Sequence, residues 1–337
     1  MVYNLWCHVE DRSAPNYATG IVRIMEKSEP LWSKIACRTL VNILTHPFDY
    51  AKVLIQIGYE PLEPRQTTTL FGRPALGLPN IFQYVKYIKN IDGLSGCYRG
   101  LAPKLCGLTI YAIVFDKSLK HIEFTEEDRD PQENDTPVDD LPDELRDKKY
   151  VEDFFKNLIA RTVGIIISHP FDVISVRMMA QFVGGETKYI TIVGSVGTIY
   201  KENGISGFFA GLLPRLLAHV ATLAVVSTST YLINKYIIKD RDMRNFTSAT
   251  MTFLASTVTY PFLVVSQCMI VNNCGLAAGE PPMMPIYVDW LDCWHHLSRT
   301  RQLKRGSSLL WRYYTGPQTI IGGRMYADKT SLFRKIN

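Results

Sequence analysis

The segment THPFDYAKVLIQ (Thr45–Gln56) places a proline inside an otherwise apolar stretch, followed by an aspartate and a lysine. The same step recurs as SHPFDVISVRMM (Ser168–Met179) and as TYPFLVVSQCMI (Thr259–Ile270). A proline inside a helix removes one backbone hydrogen bond and bends the helix, which membrane proteins tolerate when neighbouring helices satisfy the freed groups. Three copies of the step therefore predict three repeated units, each built on one bent helix.

A glycine-rich motif follows the first two proline steps. It reads DGLSGCYRGLAPKL at Asp92–Leu105 and NGISGFFAGLLPRL at Asn203–Leu216, with glycines, an aromatic residue and a proline at the same offsets. The motif predicts a turn into a second long helix. Amphipathic patterns near residues 80–89 and 190–201 predict a short helix before each turn.

The third unit is truncated. Its short helix is predicted near residues 287–297, and its turn, RGSSLLWRYYTGP (Arg305–Pro317), retains Gly306 and Trp311 but not the later glycine spacing. After Pro317 only 20 residues remain, and they include five charged side chains (Arg324, Asp328, Lys329, Arg334 and Lys335). A membrane-spanning helix needs about 20 mostly apolar residues, so no sixth spanning helix is expected.

Composition favours a membrane protein with a solvated insert. Of 337 residues, 47% are apolar and 20% are charged, below the ~25% usual in soluble domains. Glu123–Asp147 carries twelve carboxylates and two arginines, while the remainder carries 35 basic and 20 acidic residues. The seven cysteines form no CxxC pair, which predicts buried free thiols (Cys37, Cys106 and Cys268 lie in apolar stretches). Cys293, His295 and His296 lack the further ligands of a zinc site, so no metal is expected.

Five apolar stretches are long enough to cross a bilayer. They begin near Leu31, Leu101, Val151, Gly211 and Phe246. Basic or titratable residues interrupt them, namely Arg38, Lys52, Arg161, Arg177 and His219. Charged groups inside a helical bundle usually face a polar cavity, because exposure to lipid is costly.

These motifs resemble the mitochondrial carrier family, also called solute carrier family 25, over Leu31 to about Gly316. The resemblance implies three two-helix repeats, in which an acid and a base after each proline form salt bridges between repeats and gate a cavity. This chain keeps Asp49 and Lys52, has Asp172 with Ser175, and has Leu263 with Ser266. At most one pair between repeats, Lys52 with Asp172, is therefore expected.

The family's second gate also departs from its pattern of aromatic residue, acid and base. In the first repeat the basic position is Leu119, and in the second the acidic position is apolar. The residues concerned are Phe115, Asp116, Leu119 and Lys120, and then Tyr231, Leu232 and Lys235. Neither gate is expected to open and close in a transport cycle.

Four further segments are similar to the mitochondrial carrier homolog branch of the family. They are residues 52–62, 207–217, 254–266 and 271–287. The resemblance implies an insertase of the mitochondrial outer membrane, which admits α-helical and tail-anchored proteins through a lateral polar groove. It also implies contact with membrane lipids, lipid scrambling as a possible activity, and docking of a pro-apoptotic Bcl-2-type protein. It implies no nucleic acid, no cofactor and no catalytic residues.

The expected fold is an all-α membrane protein, a degenerate carrier fold without its sixth transmembrane helix and with a laterally open polar groove. The predicted segments are 1–30 (N-terminal), 31–122 (first repeat), 123–150 (acidic loop), 151–240 (second repeat), 241–316 (truncated third repeat) and 317–337 (polar tail). Two alternatives to the insertase remain open, which are a receptor or scaffold and a small-solute carrier.

The predicted groove residues are Lys52, Asp49, Asp172, Arg177, His219, Arg161, Asn234 and Asn272, and the predicted architectural residues are Pro47, Pro170, Pro261, Gly96, Gly100, Gly207 and Gly211. Structural alternatives stay open for three of the groove residues. Lys52 could bridge to Asp172, Arg177 could extend to a membrane interface, and His219 could be a polar core histidine.

Overall fold

The fold repeats a pattern of one long helix, one short helix and a second long helix. A computed structural model describes residues 31–69, 72–127, 143–236, 241–316, 318–321 and 324–327. Within these ranges the helices are α1 (Leu31–Ile57), α2 (Ile81–Gly96), α3 (Leu101–Glu127), α4 (Asp143–Ala180), α5 (Ile192–Asn203), α6 (Leu212–Tyr236), α7 (Arg241–Val271) and α8 (Trp290–Arg299). Prolines 47, 170 and 261 lie inside α1, α4 and α7, as the sequence predicts. The predicted acidic loop and both terminal segments fall largely outside the described residues.

The short helices begin at capped residues. Asn80 accepts a hydrogen bond from the backbone of Gln83, whose side chain bonds back to Asn80. Thr191 caps α5, and Asp289 caps α8. Such caps satisfy backbone donors that a helix start otherwise leaves free. The three predicted short helices are confirmed, each displaced by a few residues.

No helix follows α8 within the described residues. The chain instead forms short strands, which the all-α prediction missed. β1 (Arg65–Thr68), β2 (Pro74–Leu78) and β3 (Arg312–Tyr313) make an antiparallel sheet, and β4 (Gln318–Ile321) pairs with β5 (Arg324–Ala327). The strands are only two to five residues long, so they contain too few positions to show the alternation of apolar and polar residues that predicts a strand.

The sheet joins the end of the third repeat to the first repeat. Besides the strand pairing, Arg312 donates to the Pro79 carbonyl oxygen over 2.8 Å and forms an ion pair with Glu60. The Arg312 side chain is 5% exposed. Burial raises the pKa of Glu60, and the Arg312 guanidinium opposes that shift. A buried acid and base thus sit where the truncated repeat meets the first one.

The chain divides into two compact units. One comprises Met1–Thr39, Leu108–Ser168 and Leu216–Thr259, and is called the first unit here. The second unit comprises Leu40–Gly107, His169–Arg215 and Tyr260–Asn337. Both units draw segments from all three repeats.

The second unit holds a dense apolar core. Phe182 lies at its centre, with ring centroids 6.1 to 6.2 Å from those of Tyr50, Tyr59 and Tyr87, each in an edge-to-face arrangement. Aliphatic residues from the three proline helices fill the surrounding space, including Leu54, Val173 and Val264. Edge-to-face packing of aromatic rings adds stability beyond the area they bury.

Three helical segments are long and apolar enough to cross a membrane. Among the described residues these are Asp147–Ala180, Ile205–Tyr236 and Phe246–Val271. The helices α1 and α3 have 27 residues each, which matches the span of a hydrocarbon layer in length.

Glycine is required where the turns approach the next repeat. Gly100 has φ of +80°, and a β-carbon there would lie 2.7 Å from the Ser175 carbonyl oxygen. Gly211 has φ of +73°, and its β-carbon would lie 2.5 Å from the Ser266 carbonyl oxygen. Any residue with a β-carbon at these positions would therefore have a strained backbone, and its β-carbon would clash with the neighbouring repeat. This supports the predicted architectural role of both glycines.

We expect Gly100→Ala and Gly211→Ala each to destabilise the protein by about 2 kcal/mol or more, because both strain and a steric clash result. Thermal unfolding of the purified protein in lipid nanodiscs measures the effect. Gly197→Ala is the matched control, since that exposed glycine lies inside α5 with open space around it. It should be neutral or stabilising by up to about 1 kcal/mol. Equal behaviour of all three variants would contradict the assigned role.

Candidate functional site

The residue before each proline makes the same contact in all three repeats. Its side chain reaches the backbone carbonyl just before a glycine with positive φ. His46 Nε2 lies 3.0 Å from the Arg99 oxygen, His169 Nε2 lies 2.9 Å from the Ala210 oxygen, and the Tyr260 hydroxyl donates to the Arg305 oxygen over 2.7 Å. The following glycines are Gly100, Gly211 and Gly306. Because a carbonyl only accepts, each histidine must carry its hydrogen on Nε2.

This contact defines the register of the third turn. Gly306 occupies the position of Gly100 and Gly211, so the truncated repeat keeps the essential glycine of its turn. No expectation from the sequence linked the two histidines and the tyrosine as a set. The signal was present as the pairs HP, HP and YP at one position of each repeat.

Serines occupy two of the three basic positions of the family motif and make neutral links between repeats. Ser175 Oγ donates to the Gly100 carbonyl oxygen over 2.8 Å, and Ser266 Oγ donates to the Gly211 carbonyl oxygen over 2.8 Å. Each serine thus binds the glycine turn of the preceding repeat. A neutral hydrogen bond thus stands at each position where the family motif has a base for a charged pair.

The acids of the proline motif bond within their own repeats. Asp49 pairs with Lys104 over 2.8 Å, and Asp172 pairs with Arg215 over 2.5 Å. Each base directly follows the proline of the second long helix. The expected pair of Lys52 with Asp172 is therefore wrong. The Lys52 ammonium instead lies 5.7 Å from the centre of the Tyr260 ring, within range of a cation–π interaction.

Arg177 and Asn272 are held by the protein itself. Arg177 is 1% exposed, donating to the Ile270 carbonyl over 3.1 Å and to the Asn203 side chain over 2.9 Å. The expectation that it extends to an interface is wrong. Asn272 exchanges two hydrogen bonds with the backbone of Tyr287, at 2.8 and 3.0 Å. These contacts favour structural roles over client contact for both residues.

The other three predicted groove residues lie in the first unit. Arg161 is 6% exposed, Asn234 is 8% exposed, and His219 is half-buried on α6. Within the described residues, the buried side-chain oxygen of Asn234 accepts no hydrogen bond. Thr222 and Thr259 share a buried hydrogen bond of 2.7 Å. The interior of this unit therefore carries several polar groups.

Its outer face is apolar. On α4, Phe155, Ile159, Val163 and Ile167 follow one another every fourth residue and are all exposed. Exposed apolar side chains also lie on α6 and α7, including Leu232 and Val258. Residues four apart share one face of a helix, so the exposed stripe is continuous along α4. This arrangement of polar interior and apolar exterior is the reverse of a soluble protein and suits a lipid surround.

The charged residues at the family's second gate also form ion pairs within their own repeats or with α4. Asp116 pairs with Lys120 on the same helix over 2.7 Å. Lys235 pairs with Asp147 of α4 over 3.0 Å, and Tyr231 donates to the same carboxylate. Asp147 thus supplies the acid that Leu232 replaced in the motif, a partner that sequence spacing did not reveal.

The described cysteines are all free, and they fall into a buried group and an exposed group. Cys97, Cys268, Cys274 and Cys293 are buried and free, while Cys37 and Cys106 are exposed, contrary to the prediction for those two. His296 Nδ1 lies 2.8 Å from the Tyr287 hydroxyl oxygen. The described part of the chain contains no group of three or more His, Cys, Asp or Glu residues placed to hold a metal ion.

Residues 31–118 and 146–241 match the family model for the mitochondrial carrier protein. The chain belongs to the mitochondrial carrier family. It is 40% identical over 285 residues to mitochondrial carrier homolog 2 of Mus musculus, covering 83% of this chain and 93% of that protein. It is 39% identical over 294 residues to mitochondrial carrier homolog 1 of Mus musculus, covering 81% and 74%. The predicted homolog branch and degenerate carrier fold are confirmed.

A more distant relative is the mitochondrial 2-oxodicarboxylate carrier of Homo sapiens. It is 27% identical over 176 residues, covering 52% of this chain and 50% of that protein. The similarity to the homolog branch is thus both higher and longer than the similarity to this solute carrier.

We expect Arg177→Met to destabilise the protein by about 3 kcal/mol, because two buried acceptors lose a charged donor. Lys52→Met should change stability by less than about 1 kcal/mol, since its described contact is with a ring face. Denaturant or thermal unfolding in nanodiscs distinguishes the two. A larger loss in Lys52→Met than in Arg177→Met would reverse the roles assigned to these cations.

Proposed function

We propose that this chain is an insertase of the mitochondrial outer membrane for α-helical and tail-anchored proteins. The observation that carries the proposal is the polar interior of the first unit, around Arg161 and Asn234, beneath an apolar outer face. Family membership and the apolar helices make the chain a mitochondrial membrane protein. The outer membrane, the clients and the insertion activity are our proposal.

The physical case concerns the cost of moving polar groups through lipid. A charged residue at the centre of a membrane helix costs about 2.5 to 3.5 kcal/mol on insertion scales. An arriving helix with a polar flank or tail must cross that barrier. Amide, hydroxyl and cationic groups at membrane depth would solvate the flank and lower that barrier. The buried Asn234 oxygen, which accepts no hydrogen bond from the described residues, could bind such a group.

The state of the gates argues against a transport cycle. Alternating access needs charge pairs that form on one side and break on the other. Here two basic positions are serines bonded to backbone, and the acids are paired inside their own repeats. Breaking these contacts would free no network that could reform between repeats. A fixed polar surface needs no such cycle.

Lipid movement along the same polar surface would be a side activity of the insertase, because a headgroup is also a polar group crossing hydrocarbon. Docking of a pro-apoptotic Bcl-2-type protein stays a prediction of the family resemblance. The solute-carrier alternative is favoured by one finding, the similarity to a carrier named for 2-oxodicarboxylates.

The test uses purified protein in liposomes and a tail-anchored substrate, scored by its protease-protected fraction. Wild type should exceed empty liposomes. Asn234→Leu keeps the side-chain size and removes the polar group, so we expect insertion to fall severalfold. His219→Arg and Lys52→Glu, which change charge at two predicted groove positions, should also shift the rate. A thermal scan of each variant confirms that it remains folded.

Leu232→Ile is the matched control, because Leu232 lies on α6 two residues from Asn234 but is 46% exposed. It should insert like wild type. No gain over bare lipid would refute the insertase. Normal insertion by all three polar variants, with partner binding lost on loop substitutions, would favour a scaffold. Substrate-specific uptake into sealed vesicles would favour a solute carrier.

A further inference from the structure

The truncated third repeat has a cavity where the first two repeats begin a second long helix. In those repeats the turns at Gly100 and Gly211 lead directly into α3 and α6. The turn at Gly306 leads instead through residues 307–311 to β3. This loop, the end of α1 and β2 line an open cavity of about 280 Å³. All of its lining residues belong to the second unit.

Cations outnumber acids in this cavity. Its charged lining residues are Glu60, Arg301, Lys304, Arg305 and Arg312. Glu60 forms an ion pair with Arg312. Within the described residues, none of the other three takes part in an ion pair. Three positive charges around one small cavity therefore lack a counter-ion from the described part of the chain.

The arginine before the glycine of the turn is neutralised in the first repeat and not in the third. Arg99 forms an ion pair with Asp92 over 2.9 Å. The residue that matches Asp92 in the third repeat is Ser298. Arg305 consequently has a hydroxyl at the place where Arg99 has a carboxylate.

The Arg305 guanidinium is held in place by uncharged groups. Its Nη1 donates to Gln302 over 3.1 Å, and its Nη2 donates to the Cys268 sulfur over 3.0 Å. The Cys268 thiol donates in turn to the Gln56 carbonyl oxygen over 3.6 Å. A β-carbon at Gly58 would clash with the guanidinium, so the chain after α1 also packs closely on it. The cation is thus fixed at the wall of the cavity without a neutralising partner.

This excess of positive charge favours a small ligand with more than one negative charge. A phosphate monoester carries about −1.5 to −2 charges at pH 7 and three strong acceptor oxygens. Arginine is suited to phosphate because its planar guanidinium donates two parallel hydrogen bonds. The exposed residues Ser307, Ser308 and Thr315 also line the cavity, and their hydroxyls can donate to further oxygens. The volume lies just below the range of about 300 to 1,000 Å³ typical of small-molecule sites, so the bound group must be compact.

We propose that this cavity binds a phosphate monoester or diphosphate group, contacted by Arg301, Lys304 and Arg305. The group belongs either to a soluble ion or to the headgroup of a phospholipid with a terminal phosphate. The insertion proposal concerns polar residues of the first unit, whereas this site lies in the second unit. The two proposals are therefore independent.

The first test titrates inorganic pyrophosphate into the full-length protein in phosphatidylcholine nanodiscs, at physiological salt, by isothermal calorimetry. Wild type should show one saturable site. Arg301→Gln combined with Lys304→Gln should weaken binding about tenfold or more, because two charge-assisted contacts are lost. Both side chains are exposed, so the variant should fold, which a thermal scan checks.

The matched control is Lys89→Gln combined with Lys201→Gln, which removes two exposed lysines outside the cavity. It should bind pyrophosphate within about twofold of wild type, because charges at exposed and distant positions are largely screened by salt. No saturable binding to wild type, or an equal loss of affinity in the two double variants, would overturn the proposal.

Lipid composition distinguishes the two sources of the phosphate. Phosphatidic acid has a terminal phosphate, whereas phosphatidylserine, used at matched net charge, has none. If a lipid headgroup fills the cavity, phosphatidic acid in the nanodisc should weaken pyrophosphate binding to wild type severalfold more than phosphatidylserine does. Equal effects of the two lipids would identify a soluble anion as the ligand, and either result upholds the site. Because no client protein is present, this binding assay can fail while insertion succeeds, and the reverse.

Discussion

One hydrogen bond, made three times, organises the second unit. It runs from the side chain before each proline to the carbonyl before a glycine of the same repeat, at His46, His169 and Tyr260. The bond fixes the end of the proline helix to the turn that starts the next long helix. The glycine conformations, the serine links and the local ion pairs all depend on that placement. Because the Tyr260 hydroxyl makes the same bond as the two histidines, the fold requires a hydrogen-bond donor at this position and not an imidazole.

The chain keeps the framework of a carrier around this hydrogen bond. The acids and serines of its proline motifs, however, form contacts other than the alternating ion pairs of a carrier gate. Ser175 and Ser266 stand where bases would alternate between partners, and each donates to a neighbouring turn. Asp49 forms an ion pair with Lys104, and Asp172 forms an ion pair with Arg215. The acids of the proline motifs are neutralised inside their own repeats, and the serine links between repeats are uncharged. A rigid support for a polar surface is consistent with both facts.

The sequence predicted the long helices and the short helices because each depends on a local period. It also predicted that no further long helix follows α8, which holds for the described residues. It could not predict partners that come from distant segments. Arg177 has the pattern of a cavity cation, but Ile270 and Asn203 bind it in the interior. Asp147 lies in a run of acidic residues, and the spacing of that run does not indicate which of them pairs with Lys235. The strands were missed because segments such as RQTT are short, exposed and not alternating.

The sheet that contains β3 has a consequence for biogenesis. Arg312 and Glu60 are 252 positions apart in the chain, and Arg312 reaches the Pro79 carbonyl across 233 positions. A ribosome releases the first repeat long before it releases Arg312. The β1–β2 hairpin edge of the first repeat therefore lacks β3, and Glu60 lacks its counter-ion, until residue 312 has emerged. Closure of this fold therefore requires Arg312 to have been synthesised, and a nascent chain that stalls before residue 312 cannot achieve it.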